Sequence, residues 1–215
     1  MDFANVKHLT IGNRNAVRVS VGGSVVWKGL PIGYKRLDYI ETTGTQYIDT
    51  GFVPDQDTRI VCEFMYFKDS NIYGSRDTTG KSGFALRVIS TKWQAQYNGD
   101  LAGTISSDAT NWHIADQNKN VFTLDNVKLH TFTYGEFESP YPITIGGILA
   151  NSNGVTKMNY GSSKYRSFQI YDDGSLVRDL IPCKNPNGNI GMYDTLNAVF
   201  YGNAGTGAFV AGAEL

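Results

Sequence analysis

Short stretches in which apolar and polar residues alternate recur along most of the chain. In residues 59–67, for example, Ile60, Cys62 and Phe64 fall on one face of an extended strand, because side chains alternate between its two faces. Apolar residues nowhere recur at helical spacing over three turns. We therefore predict strands over residues 46–50, 59–67, 82–89, 93–97, 111–115, 120–124, 128–134, 143–145, 165–171, 175–182, 191–194 and 198–201.

Residues that favour turns separate these runs. Asn98-Gly99 follows one predicted strand and Asp125-Asn126 separates two others, and both pairs are typical of tight turns. Many short strands at such spacing predict an all-β sandwich or barrel. The polar stretches 68–81 and 151–163 are predicted to be the long connections that a jelly roll needs.

The first 33 residues form a distinct segment of the pattern. Val17, Val19 and Val21 alternate with polar residues, Gly22-Gly23 marks a turn, and residues 24–28 read as the returning strand. A two-stranded hairpin is marginally stable alone in water, so this piece needs a cover. We predict an attachment module over residues 1–29, a linker over 30–33 and one sandwich domain over 34–215. The predicted attachment surface consists of Val17, Val19, Val21 and Trp27.

Composition and charge exclude several classes of partner. The chain has 215 residues, of which 41% are hydrophobic and 18% are charged, and its formal net charge is −1. No basic field is present to attract nucleic acid, and no apolar run reaches the roughly 20 residues that span a bilayer. The polar N-terminus has no signal-peptide core, so we expect synthesis in the cytoplasm. Cys62 and Cys183 lie in apolar runs, which favours two buried thiols over a disulfide, although a disulfide stays open.

Two ends of the chain carry a family resemblance. Residues 37–52 (LDYIETTGTQYIDTGF) resemble the opening of concanavalin A-like, or laminin-G-like, jelly-roll domains found in structural proteins of phages and prophages. Residues 168–184 resemble the late strand pair of that family, and residues 191–194 and 200–207 resemble its closing segment. The resemblance implies a concanavalin A-like jelly-roll sandwich of two antiparallel sheets, preceded by a small N-terminal β-hairpin module.

The N-terminal segment is similar to short β modules that begin many phage tail and virion proteins. The likeness lies in Ile11-Gly12 and in residues 17–19, 21–23 and 25–27. It implies a virion structural or adaptor protein of a tail, baseplate or head fibre, located in the virion. Its partners would be other virion proteins and further copies of the same chain in a homo-oligomer, and its sandwich would face host surface glycans.

One run combines aromatic rings with amide side chains in the way that sugar sites do. Such sites stack a ring on the apolar face of the sugar and surround it with polar groups that fix its orientation. The predicted ligand-binding residues are Trp93, Tyr97, Gln94, Gln96, Arg76 and Arg87. An alternative interpretation is that Trp93 and Tyr97 are simply core residues.

Catalytic and metal sites are not expected. Glu136 and Glu138 would share one face of a strand, as the catalytic acids of sandwich glycosidases do. The glucanase pattern has a third acid between two outer glutamates, and both Phe137 and the short spacing break that pattern. We therefore expect solvated loop acids and no enzyme activity. His8, His113 and His130 share no spacing typical of a zinc site.

Two acidic turns offer oxygen atoms of the kind that calcium binds. Asp55-Gln56-Asp57 and Asp172-Asp173-Gly174 are the candidates, but neither has the full EF-hand pattern. Ordinary turns are the preferred interpretation of both, so no cofactor is expected.

Three functions compete at this point. The first is a virion adaptor that displays a lectin-like domain. The second is a stand-alone carbohydrate-binding module, and the third is a glycoside hydrolase, which the missing acid pattern disfavours. The sequence names neither the sugar, nor the host, nor the position on a particle.

Overall fold

The computed structural model describes residues 9–11, 14–16, 18–21, 24–77, 82–106, 108–109, 111–152 and 155–215. These residues contain strands and no helix. The strands are β1 (Leu9–Ile11), β2 (Arg14–Ala16), β3 (Arg18–Val21), β4 (Ser24–Lys28), β5 (Lys35–Arg36), β6 (Ile40–Glu41), β7 (Ile48–Asp49), β8 (Arg59–Tyr66), β9 (Ser70–Arg76), β10 (Gly83–Ile89), β11 (Lys92–Tyr97), β12 (Asp100–Ser106), β13 (His113–Asn118), β14 (Val121–Leu124), β15 (Val127–Thr131), β16 (Thr144–Ile145), β17 (Gly147–Ser152), β18 (Val155–Tyr160), β19 (Ser163–Asp172), β20 (Ser175–Lys184), β21 (Ile190–Asp194), β22 (Val199–Tyr201) and β23 (Val210–Ala211).

Two large sheets hold most of these strands. The first sheet has the order β15-β14-β13-β8-β19-β20-β21-β22, with β5, β6 and β23 at its margin. The second sheet has the order β12-β11-β10-β9-β16-β7, and the β17–β18 hairpin joins it beside β9. All pairs are antiparallel except the short parallel contact between β17 and β9.

The core lies between the inner faces of the two sheets. Tyr73 of the second sheet packs edge-on against Phe168 of the first, with ring centroids 5.5 Å apart. Phe64 and Trp93 meet in the same way at 5.6 Å. All four side chains are almost completely buried, so the alternation seen in the sequence is the alternation between this core and the surface.

The chain passes repeatedly from one sheet to the other. It runs from β7 in the second sheet to β8 in the first, returns for β9–β12, and alternates again through β13–β15, β16–β18 and β19–β23. The predicted fold class, a jelly-roll sandwich of two antiparallel sheets, is therefore confirmed. Asn98, Asp125 and Asn126 have positive φ angles, as the predicted turns require.

The predicted long connections are wrong in part. Residues 68–81 contain β9, and residues 151–163 contain the end of β17 and all of β18. Both stretches read as polar because their strands carry serine, asparagine and glycine. In β9, Ser75 points into the core, where its hydroxyl contacts the carbonyl oxygen of Tyr141 at 2.8 Å. A satisfied serine can occupy a buried strand position, which hides the apolar pattern.

The N-terminal strands form two separate hairpins. β1 pairs with β2, and β3 pairs with β4, and within the described residues neither hairpin joins a large sheet. Val17 and the predicted Gly22-Gly23 turn lie outside the described residues.

The predicted linker, residues 30–33, begins with a buried residue. Leu30 is only 5% exposed and lies in a small apolar cluster with Ile181, Cys183 and Tyr193, whereas Ile32 is 69% exposed. The backbone amide of Tyr34 donates a hydrogen bond to the carbonyl oxygen of Pro31, which closes a turn. Packing against the sandwich therefore begins at Leu30.

The two cysteines are free and buried, which confirms the preferred interpretation. Cys62 lies in the main core and Cys183 lies in the small cluster around Leu30. Burial raises the pKa of the Cys183 thiol to about 12, and it raises the pKa of the Cys62 thiol as well. Both therefore act as small apolar side chains.

Candidate functional site

Trp93 and Tyr97 lie in the core, which is the second of the two interpretations that the sequence left open. Trp93 is 3% exposed and Tyr97 is fully buried. Trp93 packs edge-on against Phe64 and Tyr66, while Tyr97 stacks on Phe132. In these positions neither ring offers a face on which a sugar could stack.

The four polar residues of the same prediction share the outer face of the second sheet. Gln94 is half-buried and points away from the core, and Gln96 lies on the same side of β11 but is itself only 6% exposed. Arg87 pairs with Gln94 across β10 and β11, and Arg76 extends the same face on β9. We call this surface, with the glycine and alanine positions between these side chains, the arginine–glutamine face.

Glycines form the floor of the arginine–glutamine face. A Cβ atom at Gly83 would lie 2.6 Å from Nε2 of Gln96 and 3.0 Å from Cβ of Arg76. A Cβ atom at Gly103 would lie 2.7 Å from Cγ of Gln94. Any larger residue at these positions would displace the polar side chains. The glycines therefore leave room for the amide and guanidinium groups to lie along the sheet.

Arg87 is held in place but keeps bonding capacity. Its Nε donates a hydrogen bond to Oε1 of Gln94 at 2.9 Å. Burial lowers the pKa of Arg87, and the nearby positive charge of Arg76 lowers it further. Within the part of the chain that the structure describes, neither arginine forms an ion pair with an acid. Among the described residues, the face thus carries two cations without a paired acid.

A cleft of about 270 Å³ opens beside this face, between the edge strands of the two sheets. It is lined by Leu101, Ala102 and Gly103 of β12, by Phe122, Leu129 and His130 of the first sheet, and by one edge of Trp93. Its lining presents polar and apolar surface in about equal measure. It joins the arginine–glutamine face at Gly103, the residue that the two surfaces share.

A second surface, on the outside of the first sheet, combines aromatic and charged side chains. The guanidinium carbon of Arg166 lies 3.9 Å from the ring centre of Trp112, and Nζ of Lys164 lies 4.4 Å from that of Tyr39. Arg166 also bonds to Asp38 at 3.0 Å. The cations here already have aromatic and acidic partners, so this aromatic–cation surface has less bonding capacity left than the arginine–glutamine face.

The two predicted acidic turns, far apart in sequence, meet at one rim of the sandwich. Nζ of Lys119 donates to Oδ1 of Asp57 at 2.7 Å and lies 3.7 Å from Oδ1 of Asp173. Burial raises the pKa of Asp172, and the charges of Asp55, Asp173 and Asp57 add to this effect. The described residues contain no group of three or more metal-ligating side chains placed to hold an ion. The positive charge next to the acids of this rim is the ammonium group of Lys119.

Glu136 and Glu138 lie on an exposed connection after β15, while Phe137 between them is buried. Glu138 forms only an isolated bridge with Asp55. His113 is buried between Asp125, 2.8 Å from its Nδ1, and the carbonyl oxygen of Asp108. Exposed His130 packs against Phe132. His8 lies outside the described residues.

The predicted attachment residues are only partly visible. Val21 is 65% exposed and Val19 is half-buried. Val17 lies outside the described residues, and for Trp27 only the backbone, in β4, is described. In the described part of the predicted attachment surface, Val21 is therefore an apolar side chain exposed to solvent.

Sequence reasoning missed the glycine floor and the aromatic–cation surface. No local motif marks Gly83 or Gly103 as a site residue, and Trp112 lies outside the predicted binding residues. The role of the two glycines follows from the structure, which places Gly103 opposite Gln94 and Gly83 beside Gln96.

Comparisons with known proteins add little beyond the fold. No family model and no curated protein matches the chain. Among the solved structures that match is the native heptameric SAP-like pentraxin from Limulus polyphemus. It is 10% identical, the match covers 84% of this chain and 94% of the pentraxin chain, and the TM-score is 0.45. A likeness of this degree carries no argument about ligand or assembly. No helix in the described residues is long and apolar enough to cross a membrane.

Proposed function

We propose that the chain is a carbohydrate-binding module and that the arginine–glutamine face is its binding surface. The observation that carries the proposal is the convergence of Arg76, Arg87 and Gln94 from three neighbouring strands onto one glycine-floored face, with the buried Gln96 on the same side of β11. Amides both donate and accept hydrogen bonds and guanidinium groups donate several, which suits the hydroxyl groups of a sugar.

Other partners fit this face less well. The net charge of the chain is −1, which gives no general attraction to nucleic acid. The face is built from polar groups over a backbone floor, whereas the core of a protein–protein interface is usually aromatic and aliphatic. A ligand with many hydroxyl groups uses what this face offers. The cleft at Gly103, whose lining is about half apolar, provides a neighbouring place for a sugar's apolar face.

Binding of the purified chain to a glycan array tests the proposal. Gln94→Ala removes one amide, and Gly83→Leu fills the floor between Gln96 and Arg76. Asn118→Ala is the matched control, since Asn118 is exposed on β13 of the other sheet. We expect glycan signals that both face variants lose and the control retains. Absence of signals, or signals equal in all variants, would contradict the proposal.

We infer binding without turnover. Glu136 and Glu138 are exposed, and retaining glycosidases place their two carboxyl groups in a cleft around the scissile bond. The support for a non-catalytic role is this exposure together with the absence of the glucanase acid pattern in the sequence. A glycoside hydrolase remains the third function to test.

We also propose that this module serves as a virion adaptor. The support is the family resemblance of both ends of the sandwich, together with two N-terminal hairpins that pair with neither large sheet and that expose Val21. A partner subunit or another copy of the chain in a homo-oligomer would cover that side. Mass spectrometry of particles purified from the cells that encode the chain is the test. If the chain is absent from the purified particles, the virion proposal fails and a stand-alone carbohydrate-binding module is the function that stays.

A further inference from the structure

We infer that the ligand of the arginine–glutamine face carries an anionic substituent, seated between Arg76 and Arg87. This inference rests on the proposed carbohydrate-binding function and names the class of sugar. The substituent is a carboxylate, a sulfate or a phosphate group on the saccharide. All three match the planar fork of donors that a guanidinium group presents.

The first step of the argument is the sign of the charge. Strands β9 to β12 contain Arg76, Arg87 and Lys92 and a single acid, Asp100. Asp100 pairs with the inward-facing Tyr97, so it lies on the opposite side of the sheet from the arginines. The chain as a whole has 20 acids and 19 bases, so this separation is local and not a consequence of composition.

The second step is the arrangement of the two cations. Arg87 lies beside Gln94, Arg76 lies beside Gly83, and only the positions of Ala85 and Gly74 separate them along the face. Burial lowers the pKa of Arg87, and the positive charge of Arg76 lowers it further, so the two guanidinium groups repel each other. A bound anion would remove this repulsion, so the pair favours an anion over a neutral group.

The third step concerns the hydrogen-bond donors of the two arginines that have no partner among the described residues. Gln94 accepts from Nε of Arg87, which orients the guanidinium group. The two terminal nitrogens of Arg87 have no hydrogen-bond partner among the described residues, and the same holds for the guanidinium group of Arg76. By contrast, Arg59 and Arg166 on the first sheet each bind a carboxylate at 2.7–3.0 Å. The second sheet thus keeps its arginines available, and the first sheet does not.

Three sugars with one backbone separate the possible ligands: size-fractionated dextran, carboxymethyl-dextran and dextran sulfate. Each is titrated at constant ionic strength into the isotope-labelled full chain, and the backbone amide shifts are followed by NMR. We expect both charged sugars, or one of them, to shift the amides of β9–β11, and we expect neutral dextran to have less effect. The sugar that binds more tightly identifies the preferred anion.

The variant Arg76→Gln/Arg87→Gln removes both charges and keeps polar side chains. We expect it to bind the charged sugar about tenfold to a hundredfold more weakly, because charge-assisted hydrogen bonds are lost. Lys68→Gln/Lys128→Gln is the control, since it removes the same charge from two exposed lysines elsewhere and should bind normally. If the double variant unfolds, the single variants Arg76→Gln and Arg87→Gln replace it.

The outcomes separate this inference from the proposed function. If neutral glycans of the array bind at β9–β11 and the charged dextrans do not, the inference is overturned and the carbohydrate module stands. Equal loss in the lysine control would also overturn the inference, because nonspecific charge would then explain binding. If no glycan of the array binds and no dextran shifts an amide of β9–β11, both proposals fail.

Discussion

A buried polar bridge connects the two sheets at Gln117. Tyr73 of the second sheet donates from its hydroxyl to Oε1 of Gln117 at 3.1 Å, and Nε2 of Gln117 donates to the carbonyl oxygen of Gln96 at 2.7 Å. Tyr73 and Gln117 are fully buried. The bridge fixes the backbone of β11 directly beneath the arginine–glutamine face, because the bonded carbonyl belongs to Gln96 itself.

Replacing Tyr73 with Phe should therefore destabilise the whole domain. The change leaves Oε1 of Gln117 buried without a donor, which should lower the free energy of unfolding by about 1–3 kcal/mol. Urea unfolding followed by fluorescence measures it. Tyr171→Phe is the control: its hydroxyl bonds Gln169 at a half-exposed site, so a change below about 0.5 kcal/mol is expected. Equal effects of the two variants would contradict the bridge.

Lys119 neutralises the acidic rim. The hydrogen bond from Lys119 lowers the pKa of Asp57 in the folded chain. A carboxylate whose pKa is lower in the folded state than in the unfolded state stabilises the fold above its ordinary pKa of about 4, and this contribution disappears as the pH falls through the lowered value. Asp172 has the opposite sign, since its pKa is raised.

The variant Lys119→Met should consequently melt at a lower temperature than the native chain at neutral pH. The difference should shrink as the pH falls from about 4 through the lowered pKa of Asp57, because Asp57 is protonated in both proteins only below that lowered value. Thermal unfolding across a pH series measures this. A difference that stays constant from neutral to acidic pH would show that Lys119 acts through packing and not through charge.

Glu136 and Glu138 provide a test of the non-catalytic proposal. Because both are exposed, Glu136→Gln/Glu138→Gln should leave thermal stability and glycan binding unchanged. Polysaccharide turnover assays on the native chain and the double variant are the measurement. Turnover by the native chain that the double variant lacks would promote the hydrolase hypothesis.

At the scale of strands, the sequence was most informative about the first sheet. β8, β13, β14, β19 and β20 all lie within or close to predicted strands, since their inward positions are apolar and their outward positions polar. Only some strands of the second sheet were predicted from the sequence. Its strands β9, β12, β17 and β18 were not predicted, because glycine, serine and asparagine interrupt their alternation.

The candidate site was likewise predictable from the sequence only in part. Alternation in the sequence places Gln94 and Gln96 on the opposite face of their strand from Trp93 and Tyr97. Arg76 and Arg87 are only nearby in sequence, and the pairing of β9, β10 and β11 is what brings them to the same face. Their role in ligand binding stays a prediction. The stacking role of Trp93 and Tyr97 could not be decided from sequence, since period-2 alternation does not say which face is inside. The register of β12 was needed to find Gly103.

The N-terminal hairpins and Leu30 allow the attachment proposal to be tested. Removing residues 1–29 should leave a soluble domain with nearly unchanged thermal stability that no longer assembles, as size-exclusion chromatography with light scattering would show. Leu30→Ala in the full chain should instead cost about 2–5 kcal/mol, because Leu30 is buried in the cluster with Ile181. An insoluble truncated chain would contradict the module boundary.

The whole molecule presents two outer sheet surfaces with different electrostatics. On the first sheet, arginine and lysine are paired with acids and rings, as Arg166 is with Asp38 and Trp112. On the second sheet, the arginines lie over a glycine floor, and the strands β9, β10 and β11 contain no acid. The core holds the two surfaces on opposite sides of one sandwich, so a ligand of one cannot contact the other.

Mapping the bound glycan on the chain is the most direct test of this account. The glycan that binds best on the array is added at saturation, and hydrogen–deuterium exchange is compared with and without it. We predict slower exchange in Ser70–Arg76, Gly83–Ile89 and Lys92–Tyr97, which form the arginine–glutamine face. Protection confined to the strands around Arg166 and Trp112, or to the rim at Lys119, would contradict the central claim.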